Sequence, residues 1–577
     1  MMKKYKLYIT MAASLFLTTS CYDLDVFPED KLAVETFFKT QSHADQAMMG
    51  VYSQLRSNYA FGLQPGLDCL GFVGVGFDTG GYGPVVQGAY SASDGIVSNK
   101  FKQLYEGVTR ANIVLQNVDK CAMSDELKEQ YKGEARFLRA LYYFTLTDFF
   151  GGVPYYDEST IVAQEFMNMK KPRSSVDEVR GYVLADLTYA EEKLPTEWNK
   201  ENKGRATKAA AQALKGKVLL YNKKYAEAKD CFTALITNTA RYGKMELYPD
   251  YGGLFQPGGD ESSEYIFAIQ NIGGVGQDFG MPLAFYLGNR ATFGSCWNNC
   301  MASNRLVDSY ECKDGKKFDW ETLCPGYTTD LKKRQAFLYA TLKGGKLDKR
   351  PANVQKLWDM YENRDPRMKA SIILPYTKYN GWFKNQPHEV EFALLASQAQ
   401  AQVKNGLIQT AKNAQCYLWR KFVPEANMDG AITNREHTPI NFPLIRLADV
   451  YLMLAECWNE LPDGQTKAVE YINKVRDRES VKMPHINNGD EWMKATTKEE
   501  VFARIRHERQ VELAAEGWSF SDMRRWGLLE EVAGDCHFID GKKFVTRVIA
   551  KKDYLWPIPQ DEMYMNPNLK GDQNPGW

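Results

Sequence analysis

Residues 206–236 read ATKAAAQALKGKVLLYNKKYAEAKDCFTALI, which is two apolar repeats separated by a polar turn. Within each repeat the apolar residues recur at steps of three and four, the spacing of one face of an α-helix. The first set is Ala206, Ala210, Ala213, Leu214, Val218 and Tyr221, and the second is Tyr225, Ala228, Phe232, Leu235 and Ile236. Since only Asn222–Lys224 separates the two sets, the stretch predicts two antiparallel helices joined by a tight turn.

A second pair of this kind occupies residues 447–456 and 468–475. Tyr-x-x-Ala-x-x-x-Phe after a tight turn is typical of a tetratricopeptide-type hairpin, in which a small Ala allows close helix approach. One hairpin cannot bury its own apolar stripe, so several must stack. Residues 33–56 and 100–118 are expected to supply partners. Residues 125–149 predict a further helix, capped by Ser124.

Long segments rich in glycine and aromatic residues separate these helices, at residues 59–99, 250–300 and 374–388. Loops of this length in a compact protein are usually functional. The chain has 33 Tyr and 29 Phe, and an excess of tyrosine favours rings with one hydrated edge, as in a binding groove. We therefore predict a mainly α fold, with helical hairpins in one part and an irregular, loop-rich part that presents aromatic side chains.

The overall composition excludes one class of partner. The 577 residues include 72 Lys plus Arg and 72 Asp plus Glu, so no basic excess is available to hold a phosphate backbone. Nucleic acid is therefore not expected as a partner. The chain has only six histidines, so few imidazole ligands are available for a metal centre.

The N-terminus predicts export. Lys3, Lys4 and Lys6 precede an apolar run from Leu7 to Leu17, which is shorter than the roughly 20 residues that a membrane span needs. Small residues then lead into Cys21, as in a bacterial lipoprotein signal. We expect residues 1–20 to be a signal peptide and Cys21 to be acylated, although cleavage with Cys21 left free or paired is an alternative.

Four of the other cysteines, Cys296, Cys300, Cys312 and Cys324, lie close together in the sequence. Their spacings match no zinc-binding pattern, so no metal site is expected, and a disulfide among them is left open. Cys121, Cys231 and Cys457 lie in helical patterns, where burial of the thiol is the simplest interpretation.

The sequence lacks the usual catalytic motifs. Gly74-Val75-Gly76 has no third glycine, and no phosphate-binding loop or nucleophile elbow occurs, so neither an enzyme nor a cofactor site is predicted. Asp78 and Asp94 would be the candidates if a carboxylate pair acted on a glycan, but a hydrogen-bonding role is the better interpretation. In residues 498–517, opposite charges three to four apart predict a salt-bridged helix face with a structural role.

Several motifs, in order from residue 134 to residue 577, resemble the SusD/RagB outer-membrane lipoproteins. They are Glu134–Phe144 with Phe150–Pro154, Gly204–Lys208, Asp365–Arg367, Pro443–Val450, Arg506–Arg509 with Asp522–Gly527, Tyr554–Pro559, Asn566–Leu569 and Asn574–Trp577. The resemblance implies a SusD-like fold. It also implies an N-terminal part at residues 21–270 with the tetratricopeptide-like hairpins, interlocked with a C-terminal part at residues 271–577.

The same resemblance implies a function and a location. Such proteins are anchored by lipid on the outer face of the outer membrane. They capture oligosaccharides, or peptides in some branches, and deliver them to a SusC-like TonB-dependent transporter. Asp23 and Asp25 resemble the acidic signal that sends these lipoproteins to the cell surface.

Ligand residues in the family come from the loop before the second helix and from loops after the hairpins, without a fixed motif. An aromatic ring can stack on the C–H face of a sugar, while polar side chains bind its hydroxyl groups. The residues expected to bind ligand are Phe77, Asp78, Tyr82, Tyr90, Tyr286, Asn289, Arg290, Trp297 and Trp382.

Three alternatives stay open at this point. The protein could be a peptide-binding member of the family, a helical glycan-degrading enzyme, or a docking scaffold without a ligand site. The sequence names neither the glycan nor the residues that touch the transporter.

Overall fold

The computed structural model describes residues 37–76, 82–165, 168–274 and 279–577, and the fold is mainly α-helical, as predicted. The longer helices are α1 Gln41–Ser53, α2 Gly95–Asn117, α3 Asp125–Phe150, α4 Val176–Lys193, α5 Lys208–Tyr221, α6 Tyr225–Thr237, α7 Leu447–Glu460, α8 Gln465–Arg476 and α9 Lys498–Glu512. Shorter helices span Gly83–Val86, Val162–Glu165, Thr239–Tyr242, Leu283–Leu287, Asn304–Ser309, Trp320–Leu323, Leu331–Leu338, Val354–Glu362, Pro366–Ser371, Ser519–Arg525 and Gln560–Met565.

The predicted hairpin of residues 206–236 is confirmed as α5 and α6. The Thr207 hydroxyl caps α5 by accepting a hydrogen bond from the Ala210 N–H, and Lys223 takes a left-handed conformation (φ 58°) in the turn. A glycine permits the close contact at one point, because a Cβ on Gly216 would lie 2.5 Å from the Phe232 ring.

The other helical predictions are confirmed too. The second hairpin forms α7 and α8, and α1 and α2 lie in the two segments expected to supply partners. The Ser124 hydroxyl caps α3 by accepting a hydrogen bond from the Leu127 N–H at 3.3 Å. Within the described ranges no helix is both long enough and apolar enough to cross a membrane.

Short antiparallel strand pairs occur in the described residues, some as hairpins between neighbouring segments and others between parts that are distant in the sequence. The strands are β1 Gly74–Gly76, β2 Tyr265–Ile269, β3 Cys300–Ala302, β4 Thr341–Lys343, β5 Lys346–Lys349, β6 Ile372–Ile373, β7 Lys378–Phe383, β8 Gln386–Glu391, β9 Leu418–Trp419, β10 Phe442–Arg446, β11 Gly534–His537 and β12 Lys543–Arg547. They pair as β1–β3, β2–β10, β4–β5, β6–β9, β7–β8 and β11–β12. The β2–β10 pair runs beside α5, so the segments on both sides of residue 270 pack together.

The charged face of α9 differs from the prediction. Two of its carboxylates are buried and pair with arginines from other segments: Glu508 with Arg367, and Glu512 with Arg446 and Arg478. These pairs belong to a larger connected set, which Arg504 extends toward the surface through its pair with Glu311 at 2.7 Å. We call the buried part of this set the ion-pair network. Its members are Glu264, Glu311, Asp365, Arg367, Lys421, Arg446, Arg476, Arg478, Glu508, Glu512 and Glu516.

The arginines outweigh the cost of burial at the centre of this network. Burial alone would raise the pKa of Glu512, but Arg478, Arg446 and Arg367 together hold its pKa below the ordinary value. The Arg446 guanidinium lies 2.8 Å from Glu512, 2.9 Å from Glu264 and 2.7 Å from Glu516. One guanidinium therefore joins carboxylates that are far apart in the sequence.

Removing one charge from the ion-pair network should destabilise the protein strongly. Glu512→Gln leaves three buried arginines undercompensated, and we expect unfolding in urea to lose about 3–5 kcal/mol. Glu470→Gln is the matched control, because Glu470 forms an exposed pair with Lys467 at 2.8 Å and should change little. Equal, small effects of both substitutions would contradict this assignment.

Asp68 should make stability depend on pH. Burial raises its pKa to about 7, although backbone N–H groups of Gly517 and Ser519 oppose the rise. Because an unfolded aspartate titrates near 4, the folded protein binds the extra proton between about pH 4 and 7, and stability falls as the pH rises through that window.

We expect Asp68→Asn to remove up to about 1.4 kcal/mol per pH unit of this slope, measured by denaturant unfolding from pH 4 to 8. The exposed Asp348 on β5 provides the control, and Asp348→Asn should keep the parent slope. An unchanged slope in Asp68→Asn would rule out the raised pKa.

Candidate functional site

The loop of residues 288–299, which we call the site loop, leads into β3 and carries several of the predicted ligand residues. It is closed on itself by backbone hydrogen bonds. The Asn298 N–H donates to the Gly288 carbonyl at 2.6 Å, and the Cys296 N–H donates to the Asn289 carbonyl at 3.1 Å. The loop is therefore shaped before any ligand binds.

Asn289 is fully buried, so it shapes the loop and does not present a surface to a ligand. Its side-chain oxygen accepts from the Ala291 N–H at 2.8 Å, and its own N–H donates to the Thr292 hydroxyl at 3.0 Å. Cys296 packs beside Ala284 in a small apolar cluster under the loop. The residues at the loop surface are consequently fixed from below.

An exposed aromatic platform forms at the end of the site loop. The Trp297 side chain is 42% exposed, and its ring lies 5.2 Å from that of Phe285. The guanidinium of Arg290 lies 5.7 Å from the Trp297 ring centre, and that of Arg435 lies 4.8 Å from the Phe285 ring centre. Arg435 also donates to two carbonyl groups of the site loop at 2.8 and 2.9 Å. The platform thus combines flat apolar faces with hydrogen-bond donors.

The hairpin β7–β8 packs against the other side of the site loop. The backbone N–H of Trp382 donates to the Ala291 carbonyl at 2.7 Å, and the Tyr379 hydroxyl lies 3.0 Å from the Thr292 hydroxyl. A Cβ on Gly381 would come within 2.6 Å of the same Ala291 carbonyl oxygen, so the contact needs glycine. This close fit brings the Trp382 ring to 5.8 Å from that of Phe293 in the site loop.

A groove of about 600 Å³, which we call the Trp382 groove, lies between the hairpin tip and the site loop. Its aromatic residues are Phe293, Trp382 and Phe383, its cations are Arg290, Lys384 and Lys404, and its side-chain amides are Asn385, Gln402 and Gln409. Gly294, Ser295 and Val403 complete the lining. Arg290 borders both the groove and the aromatic platform, so the two form one continuous surface.

Two predicted ligand residues, Tyr82 and Tyr90, lie in the interior. The Tyr82 ring is buried 6.4 Å from that of Trp556. The Tyr90 hydroxyl donates to Asp553 at 2.9 Å and its ring packs on Trp577 at 4.7 Å. Burial raises the pKa of both hydroxyl groups above their ordinary value. Both side chains therefore act in packing, because the long loop buries its own aromatic residues.

The other residues predicted from the sequence lie in different parts of the structure. Tyr286 is half-buried beside Phe285. Asp94 lies just before α2, and its carboxylate accepts a hydrogen bond from the Ser91 N–H at 2.7 Å. Phe77, Asp78 and Cys21 lie outside the described residues. The described strand β1, which ends just before Phe77, pairs Gly76 with Cys300, and that pair lies close in sequence to Trp297.

Of the predicted residues, the structure brings together Arg290, Trp297 and Trp382. Sequence reasoning missed Lys384, Asn385, Gln402, Lys404, Gln409 and Arg435. The alternation of residue types around Lys384-Asn385 could have identified the hairpin. In the structure these two residues form its turn, with φ of 51° and 59°. No local pattern marked residues 402–409.

Cysteine chemistry does not contribute to this surface. The cysteines among the described residues are free thiols, including Cys296, Cys300, Cys312 and Cys324, for which a disulfide was left open. In the same part of the chain, no three His, Cys, Asp or Glu side chains lie close enough to hold one metal ion.

A second groove, of about 640 Å³, lies between α2 and the C-terminal segment. Its lining is mainly apolar and includes Phe101, Tyr105, Val108, Tyr156 and Met565. This second groove has fewer side-chain amides than the Trp382 groove, and no exposed tryptophan lines it. The Trp382 groove with the aromatic platform is therefore the better candidate for a hydroxyl-rich ligand.

Stacked helical hairpins, together with a groove of aromatic and polar side chains built from loops, are typical of a ligand-binding scaffold protein. A family model described as "SusD family" matches residues 263–577, and one described as "Starch-binding associating with outer membrane" matches residues 82–220. The chain therefore belongs to the SusD family, as the sequence motifs indicated.

Relatives of similar length support this membership. SusD-like protein P25 of Formosa agariphila is 27% identical, over 96% of both chains, and a SusD-like protein of Bacteroides ovatus is 22% identical, over 98% of this chain and 97% of that one. Among solved structures, a SusD-like carbohydrate-binding protein of Bacteroides fragilis has a TM-score of 0.74 at 23% identity, over 93% of this chain and all of that one. A laminarin-binding SusD-like protein has a TM-score of 0.65 at 21% identity, over 94% and 100%.

The close fit at Gly381 should be needed for the Trp382 groove. Gly381→Ala places a methyl group against the Ala291 carbonyl, and we expect a loss of about 1–3 kcal/mol in unfolding free energy with faster hydrogen exchange in β7–β8. The control is Gly181→Ala in α4, where the space is open and the change should stabilise by up to about 1 kcal/mol. Unchanged exchange in Gly381→Ala would argue against the packing described above.

Proposed function

We propose that this protein is a cell-surface lipoprotein that captures oligosaccharides and delivers them to a SusC-like TonB-dependent transporter. It binds its ligand without covalent chemistry, catalysis or an organic cofactor. The observation that carries the proposal is the continuous surface on which exposed Trp297, Arg290 and the Trp382 groove lie together.

This surface has the chemistry that a sugar requires. A pyranose stacks its C–H face on an aromatic ring, and Trp297 and Trp382 offer such rings. Its hydroxyl groups need donors and acceptors at the rim, which Asn385, Gln402 and Gln409 provide. A groove of about 600 Å³ falls within the range of small-molecule sites, about 300–1,000 Å³, and accommodates a few sugar units.

The comparisons support the same ligand class. One matching family model carries the words "Starch-binding", and similar solved structures are described as carbohydrate-binding, laminarin-binding and surface glycan-binding proteins. Those descriptions concern the other proteins. They favour a glycan over a peptide as the ligand of this chain.

Family membership supports our proposals for the location and the partner. The description "associating with outer membrane" supports attachment there, and we propose that acylated Cys21 is the anchor after removal of residues 1–20. The transporter is the partner that the family resemblance implies. We also propose that the chain after the signal peptide consists of two interlocked parts, residues 21–270 and residues 271–577.

Calorimetric titration of the full-length protein in detergent against purified polysaccharides tests the proposal. We expect one glycan class to bind, and Trp297→Ala and Trp382→Ala each to weaken binding about ten- to a hundredfold without lowering the melting temperature. Trp492→Ala is the matched control, because Trp492 is 43% exposed but lies outside the site.

Three results would contradict the proposal. Turnover of a bound glycan would indicate an enzyme. Binding of peptides but not of glycans would indicate the peptide-binding alternative. The absence of any ligand, with an intact fold, would favour a docking scaffold.

A further inference from the structure

The Trp382 groove is strongly asymmetric in charge. Arg290, Lys384 and Lys404 line it, and no aspartate or glutamate belongs to its described lining. The chain as a whole has equal numbers of acidic and basic residues. A surface with three cations and no carboxylate therefore departs from the average of this protein.

These cations also lack a carboxylate partner among the described residues, whereas Lys378 and Arg350 each have one. On the same hairpin, Lys378 pairs with Glu389 at 2.6 Å, and Glu391 is occupied by Arg350 at 2.6 Å. The carboxylates of the hairpin are thus used away from its tip. Within the described residues Lys384 at the tip has no carboxylate partner, and its ammonium lies 5.7 Å from the centre of the Phe383 ring, which also lines the groove.

The turn of the hairpin places Lys384 at the groove. Lys384 and Asn385 form this turn in the left-handed region, with φ of 51° and 59°. Lys223, Lys412 and Lys482 take similar conformations, so the backbone does not single out Lys384. Its relevance comes from its position at the hairpin tip, where it lines the groove.

Arg290 connects the positive charge to the aromatic platform. Its half-buried side chain lines the groove, and its guanidinium also lies over the Trp297 ring. A guanidinium presents a fork of N–H donors that matches the two oxygens of a carboxylate or of a sulfate ester. Arg435 adds a second guanidinium beside the same loop.

We propose that the glycan bound here is polyanionic, with carboxylate or sulfate ester groups that pair with Arg290, Lys384 and Lys404. This inference rests on the proposed function and narrows its substrate class. Stacking on Trp382 and Trp297 favours a sugar ring as the ligand, and the three cations favour a sugar that carries negative charge. A neutral glycan would leave all three cations without a counter-charge.

The test compares three polysaccharides by titration of the full-length protein: polygalacturonate, which carries carboxylates, a carrageenan, which carries sulfate esters, and neutral laminarin. We expect one of the two charged polymers to bind at least about tenfold more tightly than laminarin. Its affinity should fall as salt is raised from about 0.02 to 0.5 M, because exposed charges are screened over a few ångströms at high salt. Which polymer binds distinguishes the carboxylate from the sulfate ester.

Charge variants make the test specific to the groove. We expect Lys384→Gln and Lys404→Gln each to weaken binding of the charged polymer about two- to fivefold, and Arg290→Gln about tenfold or more. Lys378→Gln removes the same charge from the same hairpin, but its charge is already paired, so binding should not change.

Three outcomes would overturn the inference. If laminarin binds as tightly as the charged polymers and the lysine variants match the parent, the ligand is a neutral glycan and the proposed function stands. If Lys378→Gln weakens binding as much as Lys384→Gln, or Trp382→Ala has no effect, the attraction is non-specific. If no polysaccharide binds, the proposed function fails and this inference fails with it.

Discussion

The buried ion-pair network is the constraint on which the rest of the structure depends. Glu508, Glu512 and Glu516 follow one another at intervals of four residues and are almost completely excluded from water. Each needs a cation, because an unpaired buried charge costs several kcal/mol. Their arginine partners come from separate segments of the chain. The observed arrangement of those segments gives each of these carboxylates a cation, so the network ties the loop-rich part to α9.

The same network includes residues on both sides of the segments that carry the candidate site. Glu264 and Glu311 belong to it and flank the segment that contains the site loop. Arg367 and Arg446 belong to it as well, and they flank the segment that contains the β7–β8 hairpin and residues 402–409. Both segments that form the Trp382 groove are therefore anchored at each end. A surface made of loops can in this way be as well defined as one made of helices.

The helical scaffold could be predicted from the sequence because its signals are local. The apolar spacing of residues 206–236 and the cap at Ser124 act within a few residues, and the structure places α5, α6 and α3 at the predicted positions. The charges of α9 show where this reasoning ends. Spacing of three and four indicated partners on the same helix, but the partners are distant in sequence. Periodicity identifies a charged face without indicating whether water or another segment lies against it.

The candidate site could be predicted from the sequence only in part. Arg290, Trp297 and Trp382 were recognisable as aromatic and polar residues in long loops, but so were Tyr82, Tyr90 and Asn289, which the structure buries. A loop of this length needs an interior of its own, and residue type does not reveal which side chains fill it. Charge carries different information. The cations of the groove are distinguished by the lack of carboxylates in its described lining, and that property exists only once the hairpin and the site loop have come together.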